Sequence, residues 1–458
     1  MADDRNSAVH LSAEVFAMSL GDDSEREDFE LGSDGVEEDV EDDSDDEELM
    51  VTLGFVQAVE EPWKMARQHF PCKIGGTPAW LDPINIPEGD NTQCGICDNP
   101  LGFLMQVYAP IGIDDVGYRE EVFHRSLFLF VCPNMACLQQ DQHHQLKKSP
   151  ERPCRSVKVF RSQLPRTNRF YDYDPPSRDS SPATEAVPVC TWCGAWKATS
   201  VCGGCKQARY CSRVHQLAHW RGGHDSFCRV VQAELASNKQ ESELKFVQNP
   251  ENSTTDAVRT MVQGVITRVT DTLLKSGIAN AISDKIWPEV ELIVGEEEDS
   301  MPSDAINTSR NPQQLLQDYE IRRENNGEEF TATDMEDVEE SSREQQNWAA
   351  FQARLAGAPD QVLRYCRAQG AKPLWPSLEG QPKQSDITPC FNCGGPRIFE
   401  FQLLPQLLYF LQVQNETDND SLDWATIAVY SCAASCNKSD STCEGYVEEF
   451  AWVQLAVS

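Results

Sequence analysis

The chain has 458 residues, 40% of them hydrophobic, and a formal net charge of −35. That length exceeds one core and predicts two or three domains. So acidic a balance disfavours DNA, RNA and anionic lipid surfaces as partners and favours basic polypeptides such as histones or ribosomal proteins.

In chain order, residues 1–50 are dominated by Asp and Glu, bury too little apolar surface to fold, and are predicted to form a disordered acidic tail. The start, MADDRNSAVHLSAEV, lacks a basic region followed by an apolar core, so secretion is not expected. No stretch approaches the ~20 apolar residues of a spanning helix, and no membrane partner is expected. Eighteen cysteines without an export signal point to thiolate metal ligands rather than disulfides, in a protein of the cytoplasm or nucleus. From Leu53 to Leu164, short apolar runs such as GFLMQVYAP, EVFHRSLFLFVC and SVKVFRSQL alternate with Gly and Pro and predict strands, giving the N-terminal half of a β-rich domain over 51–170. A Pro/Ser/Asp linker follows at 171–188, then a Cys/His block within 188–230.

The 231–345 region reads as a helical and acidic linker. Val258, Met261, Val262, Val265, Ile266, Val269 and Leu273 fall on one helical face, and PEVELIVG (288–295) reads as one more strand. Trp348 to Arg367 predicts a helix interrupted near Gly357-Ala358-Pro359. Strand-like runs return from Cys390, making 346–458 the C-terminal half of the β-rich domain.

The two halves repeat each other. Cys94-x2-Cys97 precedes PLGFLMQVYAP, and Cys390-x2-Cys393 precedes GGPRIFEFQLLP; each continues into an apolar strand ending in a second pair, Cys132/Cys137 or Cys432/Cys436. Each set of four has the form of a zinc ribbon, two knuckles at strand ends closing a tetrahedral thiolate site. Burial as small apolar residues is the competing reading, and Cys154 or Cys443 stands close enough to replace a member of the second pair. The fold expected is therefore α+β, a zinc-ribbon-like β-domain built from both halves around an insertion.

The central block holds Cys190, Cys193, Cys202, Cys205, Cys211, His215, His224 and Cys228, four pairs that supply two Cys₃His zinc sites. Four protein ligands leave no open position, so such zincs are structural. Spacing alone allows sequential or interleaved pairing. YCSRVHQLAHW and the closing HDSFC resemble the MYND zinc finger. That resemblance implies cross-bracing, with Cys190, Cys193, Cys211 and His215 on one zinc and Cys202, Cys205, His224 and Cys228 on the other. His219 is left as a packing or surface residue.

Together with LGFVQAVEEPW (53–63), FPCKIGGTPAWLDP (70–83), CGICDNPLGFLMQVYAP (94–110), FHRSLFLFVC (123–132), VFRSQLPR (159–166), PDQVLRYCR (359–367), CFNCGGPRIFEFQLLPQLL (390–408) and GYVEEFAWVQ (445–454), the chain resembles the programmed cell death protein 2 family. The resemblance implies a cytoplasmic factor that shuttles to the nucleus and acts in ribosome biogenesis as a dedicated chaperone for one small-subunit ribosomal protein. It also implies a MYND surface for proline-containing peptides.

Enzyme classes find little support. The NHxCxPN-like cofactor sequence of MYND-bearing methyltransferases is missing, as are a P-loop and a G-x-G-x-x-G. His10, His69, His124, His143 and His144 form no arrangement with a nucleophile, and Cys366 reads as buried. The rival to a chaperone is an adaptor or transcriptional co-regulator that recruits partners through the MYND finger.

Overall fold

The structure is a computed structural model that describes residues 50–112, 120–147, 155–181, 184–233, 286–297, 332–411, 422–437 and 445–456. The apolar stripe between Val258 and Leu273, Cys154, Cys443 and nearly all of the acidic tail lie outside them.

Ten strands close into one barrel: β1 (Thr52–Gln57), β2 (Lys73–Ile74), β3 (Gly102–Tyr108), β4 (His124–Val131), β5 (Val157–Leu164), β8 (Val290–Glu296), β9 (Leu363–Tyr365), β10 (Arg397–Leu403), β11 (Thr426–Cys432) and β12 (Val447–Gln454). Their order around the wall is β1-β8-β2-β3-β4-β5-β12-β11-β10-β9, with β9 pairing back onto β1. Two more strands, β6 (Ser200–Val201) and β7 (Arg209–Tyr210), form a separate ribbon in the central block. The expected zinc-ribbon-like α+β layout is therefore wrong. The two halves do not form ribbon units with free edges; they share one closed wall, which leaves no unpaired edge. The strands that complete it are the ones a period-two pattern misses, since β2 has two residues and β9 three. PEVELIVG, read as one more strand, is one and lies between β1 and β2.

The repeat becomes an approximate two-fold relation in strand order and register. The meanders β3-β4-β5 and β10-β11-β12 meet through antiparallel β5 and β12. Each has a register break at the same place, between Phe103 and Met105 and between Phe399 and Phe401. Gln106 and Gln402, equivalent positions, each clasp a Pro-x-Trp segment. Gln106 accepts from the Ala79 N–H at 2.7 Å, and Gln402 accepts from the Leu374 N–H at 2.6 Å. Lys73 on β2 pairs with Glu289, and its counterpart Arg364 on β9 pairs with Glu297.

Strand β4 is buried along its whole length, because both faces of the wall are covered. Leu127, Leu129 and Val131 join Val107, Val159, Phe401, Val429 and Val453 in the barrel interior. The alternate residues Phe128 and Phe130 face an aromatic layer with Phe70, Trp80, Phe160 and Trp196. Helices α1 (Met135–Leu138) and α5 (Gln406–Phe410) add Met135, Leu138, Leu407 and Leu408 to the interior cluster.

The interior also holds charge. Arg125 makes a bidentate pair with Glu400, and Glu449 accepts from Arg161 at 2.7 Å and from Arg397 at 3.0 Å. Burial opposes the Glu400 carboxylate, but the Arg125 guanidinium outweighs it and holds its pKa at about 2.

Four cysteine and histidine centres

Each Cys-x2-Cys segment forms the same knuckle. The residue after the second cysteine is left-handed, Asp98 (φ 57°), Gly194 (64°), Lys206 (60°) or Gly394 (70°). Its N–H donates to the first cysteine's carbonyl at 2.9, 2.8, 3.1 and 2.8 Å respectively. The turn aims both sulfurs to one side. Glycine suits this backbone, and at Gly194 a side chain would also strike Thr77.

The knuckles bring four donor groups together, each with its donor atoms within 4.8 Å of one another. The first, at the start of β3 and the end of β4, is Cys94, Cys97, Cys132 and Cys137. The fourth, at the equivalent place in the second half, is Cys390, Cys393, Cys432 and Cys436. In the central block, Cys190 and Cys193 join Cys211 and His215, while Cys202 and Cys205 join His224 and Cys228. The pairing is interleaved, not sequential. Locally, Ser212 caps helix α3 (Arg213–His219) by accepting from the His215 N–H at 3.2 Å, which starts the helix between Cys211 and His215. His224 and Cys228 lie one turn apart on the helix that follows.

The spacings fit a tetrahedral ion. Zn–S bonds of ~2.3 Å imply sulfur–sulfur edges of about 3.8 Å. The sulfur pairs Cys97/Cys132, Cys202/Cys228 and Cys393/Cys432 lie 3.7, 3.7 and 3.6 Å apart. Histidine donors sit at similar range, His215 Nδ1 3.2 Å from Cys211 Sγ and His224 Nε2 3.4 Å from Cys202 Sγ. All are far beyond the ~2.05 Å of a disulfide. The thiols alone are mismatched. A hydrogen bond from Cys132 lowers Cys94 to about 5, burial raises Cys137 to about 12, and Cys432 with burial raises Cys390 to about 12. One thiolate is tolerated and its neighbours are opposed, the situation a bound dication relieves. Four closed Cys/His groups of this kind fit structural zinc.

The central finger is not a loose appendage. Trp196 is fully buried in the barrel's aromatic layer, 4.1 Å from Phe130, and donates to the Leu101 carbonyl at 2.8 Å. Trp80 returns a bond to the Ala195 carbonyl at 2.8 Å. Sequence reasoning missed this seat. The Pro-x-Trp tripeptide that recurs in each half, as Pro78-Ala79-Trp80 and Pro373-Leu374-Trp375, marks the repeat and not the place of Trp196. His219, left over among the ligands, is buried; its Nδ1 lies 3.0 Å from the Tyr210 hydroxyl and its ring stacks on that of His224. It therefore braces a ligand without being one. Cys366 is buried, and among the described residues no helix is long and apolar enough to cross a membrane.

A closed β-barrel with a cross-braced finger seated on its wall and Cys/His groups at matching strand ends defines a duplicated zinc-finger protein. The chain belongs to the programmed cell death protein 2 family. Residues 50–178 match the family's N-terminal domain, 345–455 its C-terminal putative domain and 190–228 the MYND finger. Programmed cell death protein 2 of Mus musculus is 34% identical, over 88% of this chain and 96% of the mouse protein. That of Rattus norvegicus is 35% identical, over 89% and 96%. A protein of Schizosaccharomyces pombe named "Probable 20S rRNA accumulation protein 4" is 22% identical, over 83% and 92%. No solved structure matches the chain.

Proposed function

We propose that this chain is a non-catalytic zinc protein that escorts a basic protein of the small ribosomal subunit during ribosome assembly, in the cytoplasm with passage through the nucleus. The observation that carries the reading is the fission-yeast relative named for 20S rRNA accumulation, aligned over most of both chains. The charge of −35 supports a cationic client, and four closed donor groups suit four structural zincs, which hold shape and offer no open coordination position. The test is affinity purification of the zinc-loaded chain at moderate salt with identification of co-purifying proteins. One small-subunit ribosomal protein is expected in near-stoichiometric amount; recovery of none overturns the reading.

A second reading, an adaptor or co-regulator working through the MYND finger, is favoured by Val214, Leu217 and Trp220, which remain exposed on the finger. That surface suits short proline-containing peptides. Cys202→Ser with Cys205→Ser separates the two readings: an adaptor loses its partners, while an escort that uses the barrel keeps its client.

A further inference from the structure

A groove of about 680 Å³ opens where helix α4 (Ala332–Ala356) crosses the barrel end formed by the close of β10, the start of β11 and the close of β12. The helix is held there by Phe351 and Leu355, which pack on Leu404, and by Asn347, which donates to the Trp375 carbonyl at 3.0 Å. The lining is mainly apolar, with Trp348, Pro359, Pro405 and Trp424 prominent, and Trp348 is half exposed. Such a patch on a soluble surface marks an interaction site.

Two further observations say what kind of partner it fits. The indole N–H of Trp424 and Oε1 of Gln406 are buried and have no hydrogen-bond partner among the described residues, although both residues line the groove. Orphaned buried polar atoms are rare and costly, and a donor and an acceptor on residues of one groove complement the C=O and N–H of an extended peptide. Among the described residues, the charged ones lining the groove are Glu344 and Asp423, with no Lys or Arg. Low-dielectric apolar walls strengthen that negative field.

We propose that this groove binds an extended segment of a basic polypeptide, seating a large apolar side chain beside Trp348 and Trp424 while a neighbouring Lys or Arg meets Glu344 and Asp423. The proposal rests on the escort reading for the identity of the client but not for the chemistry of the groove.

The test uses full-length zinc-loaded protein and a short fluorescent peptide in which lysines flank a Leu-Phe core, with fluorescence anisotropy as readout. Glu344→Lys with Asp423→Lys weakens binding at least tenfold, and the same peptide with glutamates for lysines does not bind. Trp348→Ala, at an exposed site that leaves the barrel untouched, gives a similar loss; Trp424→Phe keeps an aromatic ring there and removes the donor, for a smaller one. Equal affinity of wild type and charge-reversed protein, at unchanged zinc content and thermal midpoint, overturns the proposal, as does the failure of the lysine peptide to bind. If the peptide binds in a groove-dependent way while no ribosomal protein co-purifies from cells, the escort reading fails and the groove assignment stands. If a ribosomal protein is captured equally by the groove variants, the groove is not its seat and the escort reading survives.

Discussion

The two halves of the barrel share one frame, but different surroundings cover them. In the N-terminal half, Phe128, Phe130 and Trp80 lie under Trp196 of the finger, and Cys94, Cys132 and Cys137 are buried. In the C-terminal half, the equivalent face is covered by Trp375 and Ile387 from the barrel's own loops, and Cys393 is exposed. At the register break the first half has Leu104 where the second has Glu400, and at the head of the neighbouring strand it has His124 where the second has Trp424. Duplication has preserved the backbone devices, namely knuckle, bulge and glutamine clasp. The side chains have diverged, so one half seats a zinc finger and the other carries a groove, while Arg125 of the first pairs with Glu400 of the second.

The comparison breaks most severely with metal removal. Structural zinc contributes roughly 10–16 kcal/mol in apparent terms, so stripping all four groups unfolds the finger and loosens the barrel, seen as loss of tryptophan emission shift and of near-ultraviolet dichroism. Under limited chelator the half with exposed Cys393 releases metal first, and thiol-labelling mass spectrometry should find Cys390, Cys393, Cys432 and Cys436 modified before Cys94 and Cys97.

Glu400→Gln leaves the Arg125 guanidinium buried without its counter-charge and costs about 3–5 kcal/mol in urea unfolding. Arg125→Met combined with Glu400→Leu, which makes the second half resemble the first at this point, recovers most of the loss.

Gln106→Ala and Gln402→Ala each strand one backbone N–H, of Ala79 or Leu374, and each costs about 1–3 kcal/mol. Similar losses sharpen the two-fold relation; a large loss in one half alone breaks it.

A pH-dependent effect, absent near neutrality, concerns His124. Burial lowers its pKa to about 4 from an ordinary 6.5, with the Tyr108 hydroxyl 3.0 Å from Nδ1. The folded state holds it neutral while the unfolded chain protonates it, so its contribution is complete above pH 6.5 and is lost as pH falls toward 4. His124→Asn should flatten the dependence of unfolding free energy on pH in that window; an unchanged slope would assign the pH dependence elsewhere.

The donor groups were legible because Cys-x2-Cys pairs are discrete chemical units, and Cys432/Cys436 could be matched to Cys132/Cys137 through the apolar strands before them. The interleaved pairing needed the MYND resemblance, since spacing is indifferent to it. Barrel closure was illegible for a physical reason. Periodicity reports a strand's faces and not its neighbours, and Lys73-Ile74 is too short to show a period. Val290–Glu296 pairs with residues more than two hundred positions upstream. The seat of the finger depends on Trp196 entering a layer built from other segments, and no local pattern announces that.

Of the barrel strands β1 is translated first, yet both of its partners, β8 and β9, come far later. Until synthesis nears completion, the early strands must wait with an open seam, since β5 finds β12 only at the C-terminal end. The cross-braced finger needs no distant residue for its metals and can settle beforehand. A premature stop would therefore release a product with a finished finger on an unfinished wall, prone to aggregation through its bare strand edges.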